Sequence, residues 1–425
     1  MSTALLTDHY ELTMLQAALA SGTAHRRSVF ELFPRRLPEG RRYGVVAGVG
    51  RALDAIEQFR FDEQALAALE GVVDRTTLDW LAGYRFSGDI WGYAEGEAYF
   101  PYSPLLIVES SFAEAVLLET LLLSIYNHDS AIASAASRMT TVAGDRPCIE
   151  MGSRRTHEEA AVAAARAAYV AGFATSSNLA ARQRYGVPTA GTSAHSFVLL
   201  HDSEEGAFRA QVASLGKGTT LLVDTYDIAE AVRLGVEVAG PELGAVRIDS
   251  GDLGVLAHEV RAQLDRLGAT GTRIVVTSDL DEFSIAALAA APVDGYGVGT
   301  QLVTGSGHPT CGFVYKLVSR EGDDGEMVSV AKRSPDKISI GGRKFALRRR
   351  DQHGVAEAEV VGIGRPPVND GDDRPLLVPL VRDGEVVGRE PLAESRARHA
   401  SSRAELPLAA QQMSKGEPVI PTRHI

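Results

Sequence analysis

The sequence has little cysteine and no long apolar segment. Only two of its 425 residues are cysteines, Cys148 and Cys311, and neither lies in a CxxC or Cys/His spacing. This excludes a disulfide framework and a structural zinc site of the usual pattern. No apolar run reaches the ~20 residues of a membrane span, and the first residues lack the basic and apolar stretches of a signal peptide. We therefore expect a cytoplasmic protein without a membrane segment.

Positive charge is also scarce. The chain has 43 lysines and arginines against 55 acidic residues, a formal net charge of −12. Proteins that bind nucleic acid usually present a basic face, so we expect no nucleic-acid partner. An anionic substrate would have to meet a local cationic pocket, which makes arginines on loops candidates for binding.

The middle of the chain alternates between apolar β-branched runs and alanine-rich helical runs. Units of this kind begin near residues 148, 219, 245, 273 and 293. The alternation predicts successive βα units, in either a parallel α/β barrel or a doubly wound open sheet. We favour the barrel because polar residues follow nearly every strand, where the active sites of barrels are built.

The two ends of the chain have a different pattern. Residues 1–135 mix predicted helices and strands, whereas residues 313–425 contain short alternating strands and a hairpin with Asp383-Gly384 at its turn. We therefore expect an N-terminal α+β part at 1–135, a barrel at 136–312 and a β-rich C-terminal part at 313–425.

A loop of small residues at 191–196, GTSAHS, carries one histidine. His195 could act as a general acid or base, or as a nucleophile that accepts a phosphoryl group. The hydroxyls of Thr192, Ser193 and Ser196 could hold phosphate oxygens. The alternative is a loop histidine bonded to backbone. The apolar run that follows, residues 197–200, is predicted to be a strand.

A second loop, RIDSGDLG at 247–254, places Asp249 and Asp252 three residues apart at a strand end. Such carboxylates could hold ribose hydroxyls, or Mg²⁺ together with pyrophosphate oxygens. The alternative is that Ser250 or Asp252 only caps the next helix.

A third loop, GSRRTHEE at 152–159, contains adjacent arginines at a strand end. Arg154 and Arg155 suit an anionic group, because a guanidinium pairs with carboxylate or phosphate through two parallel hydrogen bonds. The alternative is a solvated helix start in which the arginines balance Glu158 and Glu159.

Two late loops, TSDLDE at 277–282 and GYGVGT at 295–300, occupy the position where barrels commonly bind phosphate. Glycines such as Gly297 and Gly299 would allow close approach of the backbone, although glycines also serve ordinary turns. The sequence contains no GxxxxGK[ST] motif, so any use of ATP does not involve a P-loop.

Five motifs resemble the nicotinate phosphoribosyltransferase family in order and spacing: TDHYELTM at 7–14, GSRR at 152–155, GTSAHS at 191–196, RIDSGDL at 247–253 and GVGT at 297–300. The resemblance extends from residue 7 to about residue 350. It implies an irregular α/β barrel with an additional α+β domain formed by the N-terminal and C-terminal segments, working as a homodimer. It also implies ATP-dependent synthesis of nicotinate mononucleotide from nicotinate and phosphoribosyl pyrophosphate, with Mg²⁺, in NAD biosynthesis.

The resemblance also implies roles for single residues. His195 matches the histidine that ATP phosphorylates, and Tyr10 matches a tyrosine that contacts the pyridine ring. Thr192 and Arg247 match positions that bind nicotinate, and Thr300 matches a position that binds phosphoribosyl pyrophosphate.

Chemistry and position suggest further roles. Asp249 and Asp252 are expected on the ribose or metal side and Arg154 and Arg155 on phosphates, because stabilising a departing pyrophosphate requires cations. The other expected substrate contacts are Ser196, Gly297 and Gly299. The sequence does not identify metal ligands.

The chain departs from the family pattern at two points. Gly341 stands where the family segment corresponding to 337–344 usually has proline, and the SDLDE loop at 278–282 is one residue shorter than its counterpart.

Three alternatives remain open. The chain could use nicotinamide or quinolinate as its base, or it could be a catalytically silent metabolite-binding paralogue. An aldolase is disfavoured, because no strand-end lysine suits Schiff-base chemistry. The intact histidine loop and Arg247 favour nicotinate.

Overall fold

The computed structural model describes residues 2–332 and 339–425. Contacts divide the chain into two compact units, Met1–Ser134 with His308–Ile425, and Ala135–Gly307. Lys337, the first residue of the segment compared with the family pattern, lies outside the described residues. Within the described ranges, no helix combines the length and the apolar character needed to cross a bilayer.

The first unit begins with a mixture of helices and strands, preceded by a short 3-10 turn at Ala4–Leu6. In chain order the elements are α1 (His9–Ala20), β1 (Arg27–Pro34), β2 (Gly44–Val45), α2 (Val49–Glu57), α3 (Glu63–Ala68), α4 (Arg75–Ala82), β3 (Asp89–Tyr93), β4 (Ala98–Tyr99), β5 (Leu106–Ser111), α5 (Phe112–Val116) and α6 (Glu119–Ala143). Aspartates define two of the helix starts, since Asp62 and Asp74 accept hydrogen bonds from Ala65 and Thr77.

The second unit consists of βα units. Its elements are β6 (Cys148–Glu150), α7 (Glu158–Val170), β7 (Thr175–Ser176), α8 (Leu179–Tyr185), α9 (His195–Leu199), α10 (Glu204–Leu215), β8 (Thr220–Leu222), α11 (Ile228–Ala239), β9 (Ala245–Ile248), α12 (Leu253–Arg266), β10 (Arg273–Ser278), α13 (Glu282–Ala287), a 3-10 turn (Leu288–Ala290), β11 (Gly295–Val298) and α14 (Thr300–Val303).

The strands of this unit form one parallel sheet in the order β7-β6-β11-β10-β9-β8. The last strand, β11, pairs with the first, β6, and the other neighbours are consecutive in the chain. A doubly wound sheet does not bring its first and last strands together, whereas a barrel does. Among the described residues no ladder joins β7 to β8, so the ring is incomplete. The prediction of an irregular barrel is confirmed.

The chain then returns to the first unit. Its C-terminal elements are β12 (Phe313–Glu321), β13 (Met327–Ser329), β14 (Lys344–Arg350), β15 (Ala356–Ile363), β16 (Arg374–Pro375), β17 (Leu377–Arg382), β18 (Glu385–Val386), α15 (Leu392–Ala404), a 3-10 turn (Leu408–Gln411) and β19 (Thr422–His424).

Strands from both ends of the chain share one sheet, in the order β13-β12-β1-β5-β3-β17-β18. Its core includes Phe30 stacked on Tyr315, with ring centroids 4.9 Å apart. The predicted hairpin is present: Asp383 and Gly384 both have positive φ, as a two-residue turn of this kind requires. The α+β domain is therefore built from the N-terminal and C-terminal segments.

The strand predicted at residues 197–200 is wrong. These residues belong to helix α9 and its end, and of them only Val198 is buried. A run of four apolar residues is too short to show a helical or strand period, so sequence alone could not separate the two.

Candidate active site

His195 is the first residue of α9, directly after the loop of small residues. Its Nε2 lies 3.2 Å from Oδ1 of Asp224, at the end of β8. The Asp224 side chain is 1% exposed, whereas the imidazole is 40% exposed. A buried carboxylate therefore orients one ring nitrogen and stabilises a positive charge on the ring, while the ring itself remains accessible.

Asp224 also connects two barrel loops. Its Oδ2 accepts a hydrogen bond from the backbone N–H of Asp249 at 3.0 Å and one from the hydroxyl of Ser250 at 2.6 Å. Asp224 was not predicted as a site residue. The available signal was its position, since it ends the apolar run of its strand just as Asp249 ends the next one.

Arg247 projects from β9 towards the histidine loop. Its guanidinium donates to the hydroxyl of Thr192 and to the carbonyl of Ser193, 3.2 Å away, and lies 4.0 Å from Oδ1 of Asp249. The side chain is 12% exposed, and burial lowers the pKa of Arg247 while Asp249 opposes that shift. Its Nε is buried and has no hydrogen-bond partner among the described residues. The guanidinium therefore has a donor left for a further acceptor.

A cavity of about 230 Å³ opens beside this cluster. Its walls come from the loops after β6, β9, β10 and β11. The lining residues are Met151, Arg154, Arg155, Asp249, Thr277, Ser278, Asp279, Gly297, Gly299 and Thr300. Asp249 belongs to both groups, because it lines the cavity and donates its backbone N–H to Asp224.

The two arginines of the cavity have no carboxylate partner among the residues that the structure describes. Within the described part of the chain, neither Arg154 nor Arg155 forms an ion pair, and both are exposed. Arginines without acidic partners in a chain of net charge −12 create a local positive potential, which favours an anionic ligand.

Comparison with known proteins agrees with this arrangement. Residues 5–127 match the model of the nicotinate phosphoribosyltransferase N-terminal domain. The chain is 61% identical over 430 residues to a nicotinate phosphoribosyltransferase of Mycobacterium tuberculosis (strain H37Rv), covering 99% of this chain and 95% of that protein. This chain belongs to the nicotinate phosphoribosyltransferase family.

More distant relatives extend the match. The enzyme of Bacillus subtilis is 38% identical, over 87% of this chain and 78% of its own. The crystal structure of human nicotinic acid phosphoribosyltransferase superimposes with a TM-score of 0.83 at 25% identity, covering 99% of this chain and 97% of the human one. A nicotinate-nucleotide pyrophosphorylase from Pyrococcus furiosus gives a TM-score of 0.76 at 25% identity, with 95% of each chain covered.

Of the residues expected from the family resemblance and from chemistry, the cavity contains six. They are Arg154, Arg155, Asp249, Gly297, Gly299 and Thr300. His195, Thr192 and Arg247 form the neighbouring cluster through Asp224 and Asp249. Ser196 lies exposed on α9, next to His195.

Asp252 has a local structural function. Its side chain accepts a hydrogen bond from the backbone N–H of Val255 at 3.1 Å and caps helix α12. It does not line the cavity. Asp252 is therefore a helix cap, which was the simpler of the two interpretations. A role for Asp252 in ribose or metal binding stays a prediction.

Tyr10 belongs to the first unit, in the first turn of α1, and its side chain is 43% exposed. Burial of part of the ring and the nearby carboxylates of Glu119 and Glu11 raise the pKa of its phenol. Glu11 itself is buried and accepts hydrogen bonds from Thr7 and from the backbone and hydroxyl of Thr120. The TDHYE segment thus fixes the start of α1 against the start of α6.

Two glycines of the family motifs are required by close packing. A Cβ on Gly297 would lie 2.4 Å from Cγ2 of Thr277 and 2.8 Å from Sδ of Met151, and one on Gly152 would lie 2.1 Å from Cγ1 of Val303. Side chains at either position would push apart the strands and loops that form the cavity.

Glu150 is a buried residue near the site that was not predicted from the sequence. It ends β6 and accepts hydrogen bonds from the backbone N–H of Gly152 and the hydroxyl of Ser176. Burial raises the pKa of Glu150, and these two bonds oppose the rise. Glu150 thereby positions the loop that carries Arg154.

No group of three or more histidine, cysteine or acidic side chains in the described ranges could hold a metal ion by itself. The cavity does contain the separate carboxylates of Asp249 and Asp279. This donor set fits Mg²⁺, which usually takes one or two protein carboxylates and completes its shell with substrate phosphates and water.

Proposed function

We propose that this protein joins nicotinate to the ribose phosphate of phosphoribosyl pyrophosphate, forming nicotinate mononucleotide for NAD biosynthesis. The observation that carries the proposal is the mostly buried Arg247 guanidinium, held beside the His195 loop with an Nε that has no partner among the described residues. A guanidinium in that setting suits a planar carboxylate such as that of nicotinate.

The surrounding residues suit the second substrate. Arg154 and Arg155 would bind its phosphates, and the backbone at Gly299 with the hydroxyl of Thr300 would add hydrogen bonds. Asp249, held by Thr277, would accept from ribose hydroxyls. Tyr10 would contact the pyridine ring, as the family resemblance implies.

In the reaction, the pyridine nitrogen bonds to the anomeric carbon as the bond from that carbon to pyrophosphate breaks. Positive charge develops on the ribose and negative charge on the departing pyrophosphate. Arg154 and Arg155 would stabilise the leaving group, while Asp249 would stabilise and orient the ribose. Bound Mg²⁺, held by Asp249 or Asp279, would neutralise further charge on the pyrophosphate.

We infer that ATP is a co-substrate through His195. Asp224 occupies one ring nitrogen of His195, which leaves the other to attack the terminal phosphate of ATP and release ADP. Water then hydrolyses the phosphohistidine to phosphate, and the net reaction consumes one ATP per nicotinate mononucleotide. This would place the enzyme in the ATP-dependent ligase class.

Two further expectations concern the whole enzyme. We propose a homodimer, for which light scattering should give twice the chain mass of 45.3 kDa. We also propose a cytoplasmic location, consistent with two buried, unpaired cysteines.

Particular residues argue against the alternative substrates and against a silent paralogue. Nicotinamide would need an acceptor for its amide rather than the Arg247 guanidinium, and the dicarboxylate quinolinate would need additional cations. A catalytically silent paralogue would be expected to have lost His195, Tyr10 or Asp249, and all three are present.

The proposal is tested by measuring nicotinate mononucleotide formed from nicotinate, phosphoribosyl pyrophosphate and Mg²⁺, with and without ATP. Wild type should form product, and ATP should raise its rate or yield. His195→Ala should lose only the gain from ATP. His201→Ala is a matched control, because His201 lies two residues after the same helix and its Nδ1 is 2.9 Å from the Phe197 carbonyl. An equal ATP gain in His195→Ala would refute the phosphohistidine, and absence of product in wild type would refute the activity.

A further inference from the structure

The loop after β10 ends in a buried carboxylate that the proposed reaction does not use. Glu282 is the last residue of the TSDLDE segment and the first of helix α13, and it is 2% exposed. Ser278 and Asp279 of the same segment line the cavity of about 230 Å³, whereas Glu282 is outside its described wall. Any effect of Glu282 on a substrate must therefore act through the residues to which it bonds.

Both oxygens of Glu282 accept hydrogen bonds. Oε1 accepts one from Nε of Arg138 on α6 at 3.0 Å, and Oε2 accepts one from the hydroxyl of Ser306 at 2.5 Å. The Arg138 side chain is 7% exposed, and charge-assisted bonds are strong where water is largely excluded. Arg138 therefore fixes the carboxylate of Glu282, and the carboxylate in turn fixes Ser306.

Ser306 has a backbone conformation that requires such support. Its φ is 52°, in the left-handed region, where among the described non-glycine residues only Tyr102 and Asp383 also lie. This region costs energy for a residue with a Cβ, so it persists where surrounding contacts enforce it. The bond to Glu282 is a contact of that kind.

The turn that contains Ser306 ends helix α14. The N–H of Ser306 donates to the Gln301 carbonyl at 2.6 Å. Helix α14 has only four residues, Thr300–Val303, and a helix this short is held by tertiary contacts rather than by its own hydrogen bonds. Its first residue, Thr300, lines the cavity. A displacement of Ser306 would therefore also displace Thr300.

We propose that Glu282 is a positioning residue for phosphoribosyl pyrophosphate, acting through Ser306 on the Thr300 end of α14. The contacts from Arg138 to Thr300 join the loop after β10 to the loop after β11, and both loops form walls of the cavity. Nicotinate is proposed to pair with Arg247, which belongs to a different set of contacts. The inference rests on the proposed function and predicts an effect on one of the two substrates.

The test uses Ser306→Ala, which removes one hydrogen bond to Glu282, and Glu282→Gln, which also removes the charge opposite Arg138. Calorimetric titration with phosphoribosyl pyrophosphate and Mg²⁺ should show binding weakened about fivefold or more in each variant, because a bond to a charged group no longer holds the site. KM for phosphoribosyl pyrophosphate should rise by a similar factor, while KM for nicotinate stays close to that of wild type. A simple loss of folded protein would instead lower kcat and leave both KM values unchanged.

Tyr296→Phe is the matched control. It removes one hydrogen bond, donated by Arg146 at 2.8 Å, from a fully buried side chain on β11 that is outside the described cavity wall. Tyr296→Phe should leave the affinity for phosphoribosyl pyrophosphate and both KM values unchanged.

Several results would overturn the proposal. Ser306→Ala could bind phosphoribosyl pyrophosphate as tightly as wild type, KM for nicotinate could rise equally, or Tyr296→Phe could weaken binding as much. Absence of binding by wild type would also overturn it. If Glu282→Gln does not fold, Ser306→Ala alone decides. If wild type binds phosphoribosyl pyrophosphate but forms no nicotinate mononucleotide, the proposed function fails, while the titrations still test the role of Glu282.

Discussion

At the scale of single residues, the pair formed by His195 and Asp224 is central to the proposed function. The carboxylate is almost completely buried and bonds to the imidazole, to a backbone N–H and to a hydroxyl. Such a group holds the ring in one orientation and favours its positive form as phosphate is transferred. Asp224 is therefore a positioning residue for the proposed phosphorylation.

We expect Asp224→Asn to reduce the gain from ATP by at least about tenfold, because the neutral amide cannot stabilise the imidazolium. Product formation without ATP should change less. The measurement is labelling of the protein by ATP carrying a radioactive terminal phosphate, together with rates with and without ATP. Asp227→Asn is the matched control, because Asp227 caps α11 and asparagine caps equally well. Unchanged labelling in Asp224→Asn would remove the positioning role.

Arg247 leads to a second prediction. Lysine offers one point charge, which cannot keep the bonds to Thr192 and Ser193 and also pair with a planar carboxylate. Arg247→Lys should therefore raise KM for nicotinate about tenfold to a hundredfold, the loss expected for charge-assisted bonds. KM for phosphoribosyl pyrophosphate should stay close to that of wild type. Steady-state kinetics with each substrate varied in turn decides this, and an equal rise in both constants would contradict the assignment.

Sequence could predict the chemical groups of the site better than their connections. His195 and Asp249 were predicted because each stands in a polar loop after an apolar run, whereas Arg247, which lies within β9, was assigned through the family resemblance. The bonds of Asp224 to residues 29 and 25 positions away depend on which strands are neighbours, and local patterns do not contain that information. The same reason applies to Glu150, which bonds across to β7.

At the scale of secondary-structure elements, strand β11 illustrates how packing limits the residue types that a position can hold. Gly297 lies between Thr277 and Met151 with no room for a Cβ. We expect Gly297→Ala to lower the free energy of unfolding by about 1–3 kcal/mol, as overpacking usually does, and to reduce activity because this strand lines the cavity. Denaturant unfolding measures the first effect. Gly218→Ala, where a Cβ meets nothing within 4 Å, should lack both effects. Equal stability of the two variants would contradict the packing argument.

Helix α10 leads to a prediction about pH. Burial, with Asp227 and Glu230 at the start of α11, raises the pKa of Glu204 from 4.5 to about 7. When the pKa of a carboxyl is higher in the folded than in the unfolded state, the free energy of unfolding falls as pH rises from the unfolded pKa to the folded pKa. The reason is that the carboxyl ionises first in the unfolded chain. Glu204→Gln should therefore be more stable than wild type at pH 8, with a difference that shrinks as pH falls to 4.5.

Melting temperature across this pH range measures the effect of Glu204→Gln. The control is Glu205→Gln, since the Glu205 side chain is 42% exposed and accepts a hydrogen bond from Arg209 at 2.9 Å. A pH trend in the control that equals the trend in Glu204→Gln would show that the effect does not arise from burial.

The elements also show where local patterns are sufficient. The long amphipathic or alanine-rich helices and the buried strands after residue 145 were predicted from their periods. Short elements were not: α9 was expected as a strand, and β7, with two residues, was not predicted. Such elements are stabilised by tertiary contacts rather than by their own sequence.

At the scale of the whole molecule, the order of strands in the barrel and the shared sheet of the first unit are the decisive features. Pairing of β11 with β6 closes most of the ring and brings the polar loops of separate βα units to one end. Pairing of β1 with β12 and of β3 with β17 joins the two ends of the chain. Periodicity predicted the barrel class, whereas the family resemblance implied the union of the termini, because no local pattern encodes pairing over some 290 residues.

The most direct test of the central claim is the choice of base. Wild-type enzyme receives nicotinate, nicotinamide or quinolinate in separate reactions with phosphoribosyl pyrophosphate, Mg²⁺ and ATP, and products are identified by mass spectrometry. The account predicts nicotinate mononucleotide from nicotinate, little product from nicotinamide and no carbon dioxide from quinolinate. Product from nicotinamide or quinolinate but not from nicotinate would contradict the assignment of Arg247 and with it the proposed function.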